Sequence, residues 1–315
     1  MKKVLKIAGA VVLFGIIMLV ALLSLLAKSP AIAEDYYKKT TAVGELEKKY
    51  QNPGSHDVSY IEKAVLEDFK KYEIWYPSDI ADIGKCPLVI FSNGTGVIAS
   101  KYQAQFKHLA SWGFVVIGTE EENSWNGFSS EMCLRFMIKC NENKTMDGWD
   151  ENPLFGLIDL DKIGVTGHSQ GGVGVFSAVT EQKHGNMIQS VFSASPTNIE
   201  LAHALEWDYD VTKVNVPVML VSTTGDGDVK LVVSQEQLND IYTALPEDIL
   251  KIKAVRNNAD HGTCLTETDA YMTAWFLMTL CDDETASRVF LGEVPEIFNN
   301  TLYENVEMNR RDMKR

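Results

Sequence analysis

Apolar and polar positions along this chain fall into short runs that change period, from two residues to between three and four. Residues 58–66 and 69–76 alternate apolar with polar, as half-buried antiparallel strands do, and Pro77 stops the second. Residues 87–92, 114–118, 163–166, 190–194, 216–222 and 251–256 read as further strands. The runs PLVIFS and FVVIG among them are uninterrupted, as strands covered on both faces should be. Helical spacing separates them. In 100–111 the apolar positions Phe106, Leu109 and Ala110 share one face and Gly113 ends the run. Helices are also predicted over 129–140, from Gln170 onward, over 234–244 and over 267–280. Strand alternating with helix predicts one α/β domain built on a doubly wound, mostly parallel sheet. About twenty residues separate Pro196 from Pro217, too few for a large lid domain at ordinary domain sizes. Residues 284–315 form a mixed tail that the pattern does not place.

The first thirty residues follow another rule. Lys2, Lys3 and Lys6 precede an uncharged run over residues 7–27. As a helix that run is about 31 Å long, enough to cross a bilayer. The basic flank predicts the N-terminus inside and the remainder outside the cytoplasm. The expectation is an uncleaved signal anchor over 1–33; the alternative is a signal peptide cut after Ala31-Ile32-Ala33. Residues 34–56, charged and tyrosine-rich, then read as a stalk, and 57–315 as the catalytic domain. The protein is thus expected to be extracytoplasmic, anchored to the membrane or secreted.

The formal net charge of −14 argues against nucleic acid as a partner, because phosphate binding needs a basic footprint. Five cysteines leave at least one unpaired within the chain. Cys133 and Cys140, two turns apart on one predicted helix, sit about 10 Å from each other and cannot bond. A Cys264–Cys281 bridge stays open. No C-x-x-C or histidine-rich spacing points to a metal, and no cofactor is implied.

The chemistry concentrates in KIGVTGHSQGGVGVF, residues 162–176. Gly167-His168-Ser169-Gln170-Gly171 fits G-x-S-x-G between a strand and a small-residue helix. Such a turn exposes the serine hydroxyl above the sheet and aims the N–H of Gln170 at the same point. Ser169 is the candidate nucleophile. A serine hydroxyl needs a base, and the base an orienting acid, which in this arrangement follow in chain order. Of six histidines, only His261 lies in a loop after the last predicted strand; His168 is expected to point away from the serine hydroxyl. The acid should follow strand 216–222, where Thr224-Gly225-Asp226-Gly227-Asp228 offers two carboxylates. Asp226, directly after the strand and flanked by glycines, is the expected acid and Asp228 the alternative. Asp260 reads as a surface charge. The second oxyanion donor should come from Ser92-Asn93-Gly94-Thr95-Gly96, with the N–H of Thr95 expected and Gly94 or Gly96 as alternatives.

Together FSNGTG, SWGFVVIGTEEENSW, KIGVTGHSQGG, the run from Pro217 to Asp226 and NADHGTC resemble the α/β-hydrolase fold. The branch is that of dienelactone-hydrolase-like enzymes, polyester hydrolases, cutinase-like esterases and platelet-activating-factor acetylhydrolases. The resemblance covers roughly residues 57–280. It implies Ser169, Asp226 and His261 as a triad, and Thr95 and Gln170 as the oxyanion hole. In polyester hydrolases the acid stands nine residues after the proline opening its strand, which falls here on Asp226. Three positions depart from that pattern. His168 replaces an aromatic before the serine, Thr95 replaces an aromatic in the oxyanion loop, and Thr223 stands where a stapling cysteine would pair with Cys264. These departures argue against a grip on polyester or cutin and leave the hydrolytic residues intact.

The expected function is cleavage of carboxylic esters, short, medium or lipid-like, through an acyl-enzyme. Trp125 and Phe128 are candidate cleft residues, with Trp149 and Trp207 nearby. An amidase or peptidase on the same triad is the catalytic alternative, and a surface binding protein on a hydrolase scaffold the non-catalytic one. Oligomeric state has no sequence signal.

Overall fold

The computed structural model describes residues 31–64, 69–146 and 148–309. Among these residues nine strands make one sheet: β1 Val58–Ala64, β2 Lys71–Pro77, β3 Cys86–Ser92, β4 Val115–Thr119, β5 Ile158–His168, β6 Ile188–Ala194, β7 Val218–Thr223, β8 Lys251–Arg256 and β9 Tyr303–Met308. Their spatial order is β1-β2-β4-β3-β5-β6-β7-β8-β9. Neighbours from β4 through β8 are parallel, while β1, β2 and β9 run antiparallel at the two edges. The helices are α1 Glu45–Gln51, α2 Ile80–Ile83, α3 Gln103–Ser111, α4 Phe128–Glu142, α5 Gln170–Thr180, α6 Ile199–Ala204, α7 Gln235–Ala244, α8 Cys264–Cys281 and α9 Glu284–Phe290.

Alternation along β3 explains how one uninterrupted apolar run serves two cores. Leu88 and Ile90 pack with Leu134, Met137, Phe176 and Ile241 of α4, α5 and α7. Val89 and Phe91 point the other way, into Phe106, Trp275, Phe276 and Phe290 of α3, α8 and α9. Burying a side chain of this size stabilises by about 1.5–3 kcal/mol, so period-two burial on both faces favours a covered sheet. The strand order reverses between β3 and β5. Loops from neighbouring strand ends part there, leaving a crevice at the carboxyl ends where ligands bind in such sheets.

Several expectations change. The unplaced tail forms α9 and the antiparallel edge strand β9, which closes the sheet beyond β8. Residues 34–56 are not a free stalk. Arg256, buried on β8, donates to Thr41 O at 2.5 Å and to Glu267 Oε2 at 2.9 Å, with Glu47 at 3.4 Å. Glu296 accepts from the N–H groups of Leu46 and Glu47 at the start of α1. Breaking a buried charge cluster by removing one partner costs about 3–5 kcal/mol, so this segment is held as part of the domain. All five cysteines are free. Cys264 and Cys281 open and close the same helix, about 25 Å apart, far beyond disulfide reach. The apolar run 7–27, the proposed anchor, lies outside the described residues, as does Leu66. Among the described residues no helix is long and apolar enough to cross a membrane.

Candidate active site

Ser169 sits between the end of β5 and the start of α5 with φ 59° and ψ −118°. A non-glycine residue there stores about 1–3 kcal/mol of strain, which the surroundings must hold. They do so by contact. A Cβ on Gly171 would lie 2.1 Å from Ser92 O, and one on Gly167 would lie 2.3 Å from Gly171 O. Both glycines therefore let the end of β3 wedge against the turn. Ser169 N–H is satisfied by Ala194 O at 3.0 Å.

The crevice beside β3 supplies donors. Asn93 is buried and its Nδ2 donates to Thr119 O and Glu121 O, both at 2.7 Å, which fixes the loop. Gly94 N–H is taken up by Tyr102 Oη at 3.2 Å and Gly96 N–H by Glu122 O at 3.4 Å. No described group accepts from Thr95 N–H, nor from Gln170 N–H in the unpaired first turn of α5. Of the three loop amides weighed from the sequence, Thr95 is the one left free.

The histidine loop meets the acid loop behind this pocket. His261 Nδ1 donates to Asp228 Oδ1 at 2.7 Å. Asp228 Oδ2 accepts three more hydrogen bonds: Ser195 Oγ at 2.6 Å, Thr223 N at 2.8 Å and Thr223 Oγ1 at 2.7 Å. Burial pushes this carboxyl up, but the bonds and charge attraction from His261, with Ser195 and Thr223, hold it below the usual carboxylate range. Nδ1 of His261 is committed, so Nε2 is its free base nitrogen. Asp226, the acid expected from the sequence, is elsewhere. Its side chain is 78% exposed and pairs with Lys230 at 2.7 Å, whereas Asp228 is 0% exposed. The chain turns helical after β7, with Asp228 N–H donating to Gly225 O, which swings residue 228 inward and leaves 226 at the apex.

Ser169, His261, Gly94, Thr95, His168, Tyr102, Val97 and Leu265 line a pocket of about 110 Å³. Ser169 Oγ has no hydrogen-bond partner among the described residues, the loose state that substrate often tightens. A family model described as PETase, PET hydrolase-like, matches residues 48–310. The chain belongs to the PET hydrolase-like family. It is also 26% identical over 225 residues to a bis(hydroxyethyl) terephthalate hydrolase of Streptomyces coelicolor, a match covering 70% of this chain and 66% of that protein.

Within this PET hydrolase-like chain His168 does more than the sequence suggested. Its ring lines the pocket and lies 4.3 Å from the His261 ring, and its Nε2 donates to His261 O at 2.8 Å. Burial and the neighbouring His261 charge, only partly offset by Asp228, push its pKa down to about 3. His168 therefore stays neutral, with its proton on Nε2, and positions the His261 backbone. Asp260, expected as a surface charge, joins two loops: its Oδ1 accepts from His261 N and Gly227 N, each at 2.8 Å. Thr223, where relatives are expected to carry a stapling cysteine, bonds Asp228 twice instead.

Trp125 and Phe128 do not line the pocket. Phe128 opens α4, is exposed, and packs against Phe69. Trp149 packs edge-on to Phe136 of α4, against the core on that face of the sheet. Ser195 and Tyr102 escaped the sequence entirely; the only signal for Ser195 was its place directly after strand β6. Among the described residues no cluster of His, Cys, Asp and Glu could hold a metal ion.

Proposed function

We propose that this protein hydrolyses small carboxylic esters through an acyl-enzyme on Ser169. His261 Nε2 takes the proton from Ser169 Oγ as the oxygen attacks the ester carbonyl. The tetrahedral oxyanion is held by the N–H groups of Thr95 and Gln170. The carbon–oxygen bond to the alcohol then breaks, and His261 returns the proton to the departing alcohol. Water enters, gives its proton to His261, and releases the acid while Ser169 recovers its hydrogen. Asp228 keeps the His261 proton on Nδ1 and stabilises the imidazolium formed in each half. The observation that carries this is the bond of 2.7 Å between the buried Asp228 and His261, a histidine that lines the same pocket as the strained Ser169.

The named activity of the Streptomyces relative supports hydroxyalkyl esters of aromatic acids as the substrate class. A fluorophosphonate probe should label Ser169, the label should vanish in Ser169→Ala, and p-nitrophenyl acetate should be turned over. A folded protein that neither labels nor turns over would overturn the assignment. Residues 7–27 are best read as a membrane anchor that holds the domain outside the cytoplasm. Support for this comes from their length, the lack of charge and the preceding lysines.

A further inference from the structure

We propose that Ile32, carried on the N-terminal strap of residues 31–38, forms one wall of the ester-binding cleft and sets the size of the apolar group it accepts. This rests on the esterase assignment above and adds to it a residue outside the family match, which begins at residue 48.

Ile32 lines the same pocket as Ser169, Thr95 and His261. Its N–H donates to Lys101 O at 2.9 Å, which fixes it beside the loop that carries Thr95. Its side chain packs on the core cluster that contains Phe91, Tyr102 and Leu265. The strap is then latched four residues on. Tyr36 is buried, and its hydroxyl donates to Asp269 Oδ2 at 2.6 Å. Asp269 is itself paired with the buried His108 at 2.8 Å and accepts from Gln105 Nε2 at 3.3 Å. Asp269 lies on α8, the helix whose first turn brings Leu265 and Thr266 to the pocket. One buried latch thus ties the strap to the helix that begins beside His261.

A wall so held acts by size. In an apolar slot each added or missing methylene changes discrimination by about 1–3 kcal/mol, roughly 10- to 200-fold. The aliphatic side chain of Ile32, with Val97 and Leu265, forms the apolar lining next to Ser169. The group it meets is an alkyl or aryl substituent on the acyl or the alcohol side of the ester. A chain cut after Ala33 loses Ile32 while keeping the Tyr36 latch, so processing at that site opens this side of the cleft.

The test uses the full-length chain in detergent and compares wild type with Ile32→Ala and Ile32→Trp. Two substrate series are needed: p-nitrophenyl esters with acyl chains growing from acetate, and acetates of alcohols of growing size. In at least one series Ile32→Ala should raise the kcat/KM ratio of large to small substrates about tenfold, and Ile32→Trp should lower it by as much. Parallel profiles for the three proteins in both series, with wild type active and labelled at Ser169, would overturn the strap's role alone. Absence of labelling in wild type would sink the esterase assignment and this inference with it.

Discussion

Asp228→Asn and Asp226→Asn separate the two carboxylates that the sequence left side by side. Asp228 meets His261 Nδ1 at 2.7 Å with no exposure to solvent. The charge centres of that pair are about 4 Å apart, and at an effective dielectric of about 20 their attraction is about 4 kcal/mol. That attraction exists only once His261 is protonated, so it acts in the transition state and corresponds to about 10³ in kcat. Asparagine also offers an N–H to Nδ1 and favours the wrong tautomer, which takes the expected loss toward 10⁴. Asp226 forms a surface ion pair with Lys230 at 2.7 Å. Such a pair contributes ~0–1 kcal/mol to stability and nothing to the reaction, so Asp226→Asn should keep kcat within about twofold. The assay is kcat on p-nitrophenyl acetate, with far-UV circular dichroism and a melting curve for each variant. Three donors from Ser195 and Thr223 meet Asp228 Oδ2, so the asparagine variant should also lose about 1–3 kcal/mol of stability. Rates must therefore be read well below its melting temperature. Equal losses in the two variants, or a larger loss in Asp226→Asn, would refute the assignment of Asp228.

Two further outcomes are expected. Burial opposes charge on His108, but Asp269 and the carbonyls of Asn52 and Gln51 outweigh it and raise its pKa. The folded protein therefore holds this proton more tightly than the unfolded chain, whose histidine titrates near ~6.5. The resulting stability is fully present below that pH and is lost as pH rises through the higher folded value. Melting temperature should fall over that window in wild type and flatten in His108→Asn; identical pH profiles would count against the buried latch. For residues 7–27, full-length protein expressed in cells should remain with the membrane pellet after alkaline carbonate extraction. Release into the supernatant, or a mature N-terminus at Glu34, would rule out the anchor.

The sequence by itself determined the elements that are spelled by local pattern. Uninterrupted apolar runs marked β3 and β4 because a strand covered on both faces has no polar side to show. Glycines on either side of Ser169 marked the elbow because only glycine admits the approach of Ser92 O and Gly171 O. His261 was legible by its place after the last parallel strand. The tertiary structure decided whatever depends on direction or on distant partners. Asp226 and Asp228 both follow β7, and no local pattern says which way a helical turn will face. His261, Ser195 and Thr223 converge on Asp228 and enclose it in a buried polar cage that Asp226 lacks, since a buried carboxylate must have its partners. His168, expected only to face away from the serine hydroxyl, packs on a histidine 93 positions later in the chain, a contact that no local pattern announces. Residues 34–56 looked like a solvated stalk by composition. Glu47 finds Arg256 and Tyr36 finds Asp269, more than two hundred positions away, and charges read as surface become a docked strap. Local sequence records the cost of a backbone turn; only the assembled fold supplies the partners that give a charged or aromatic side chain its role.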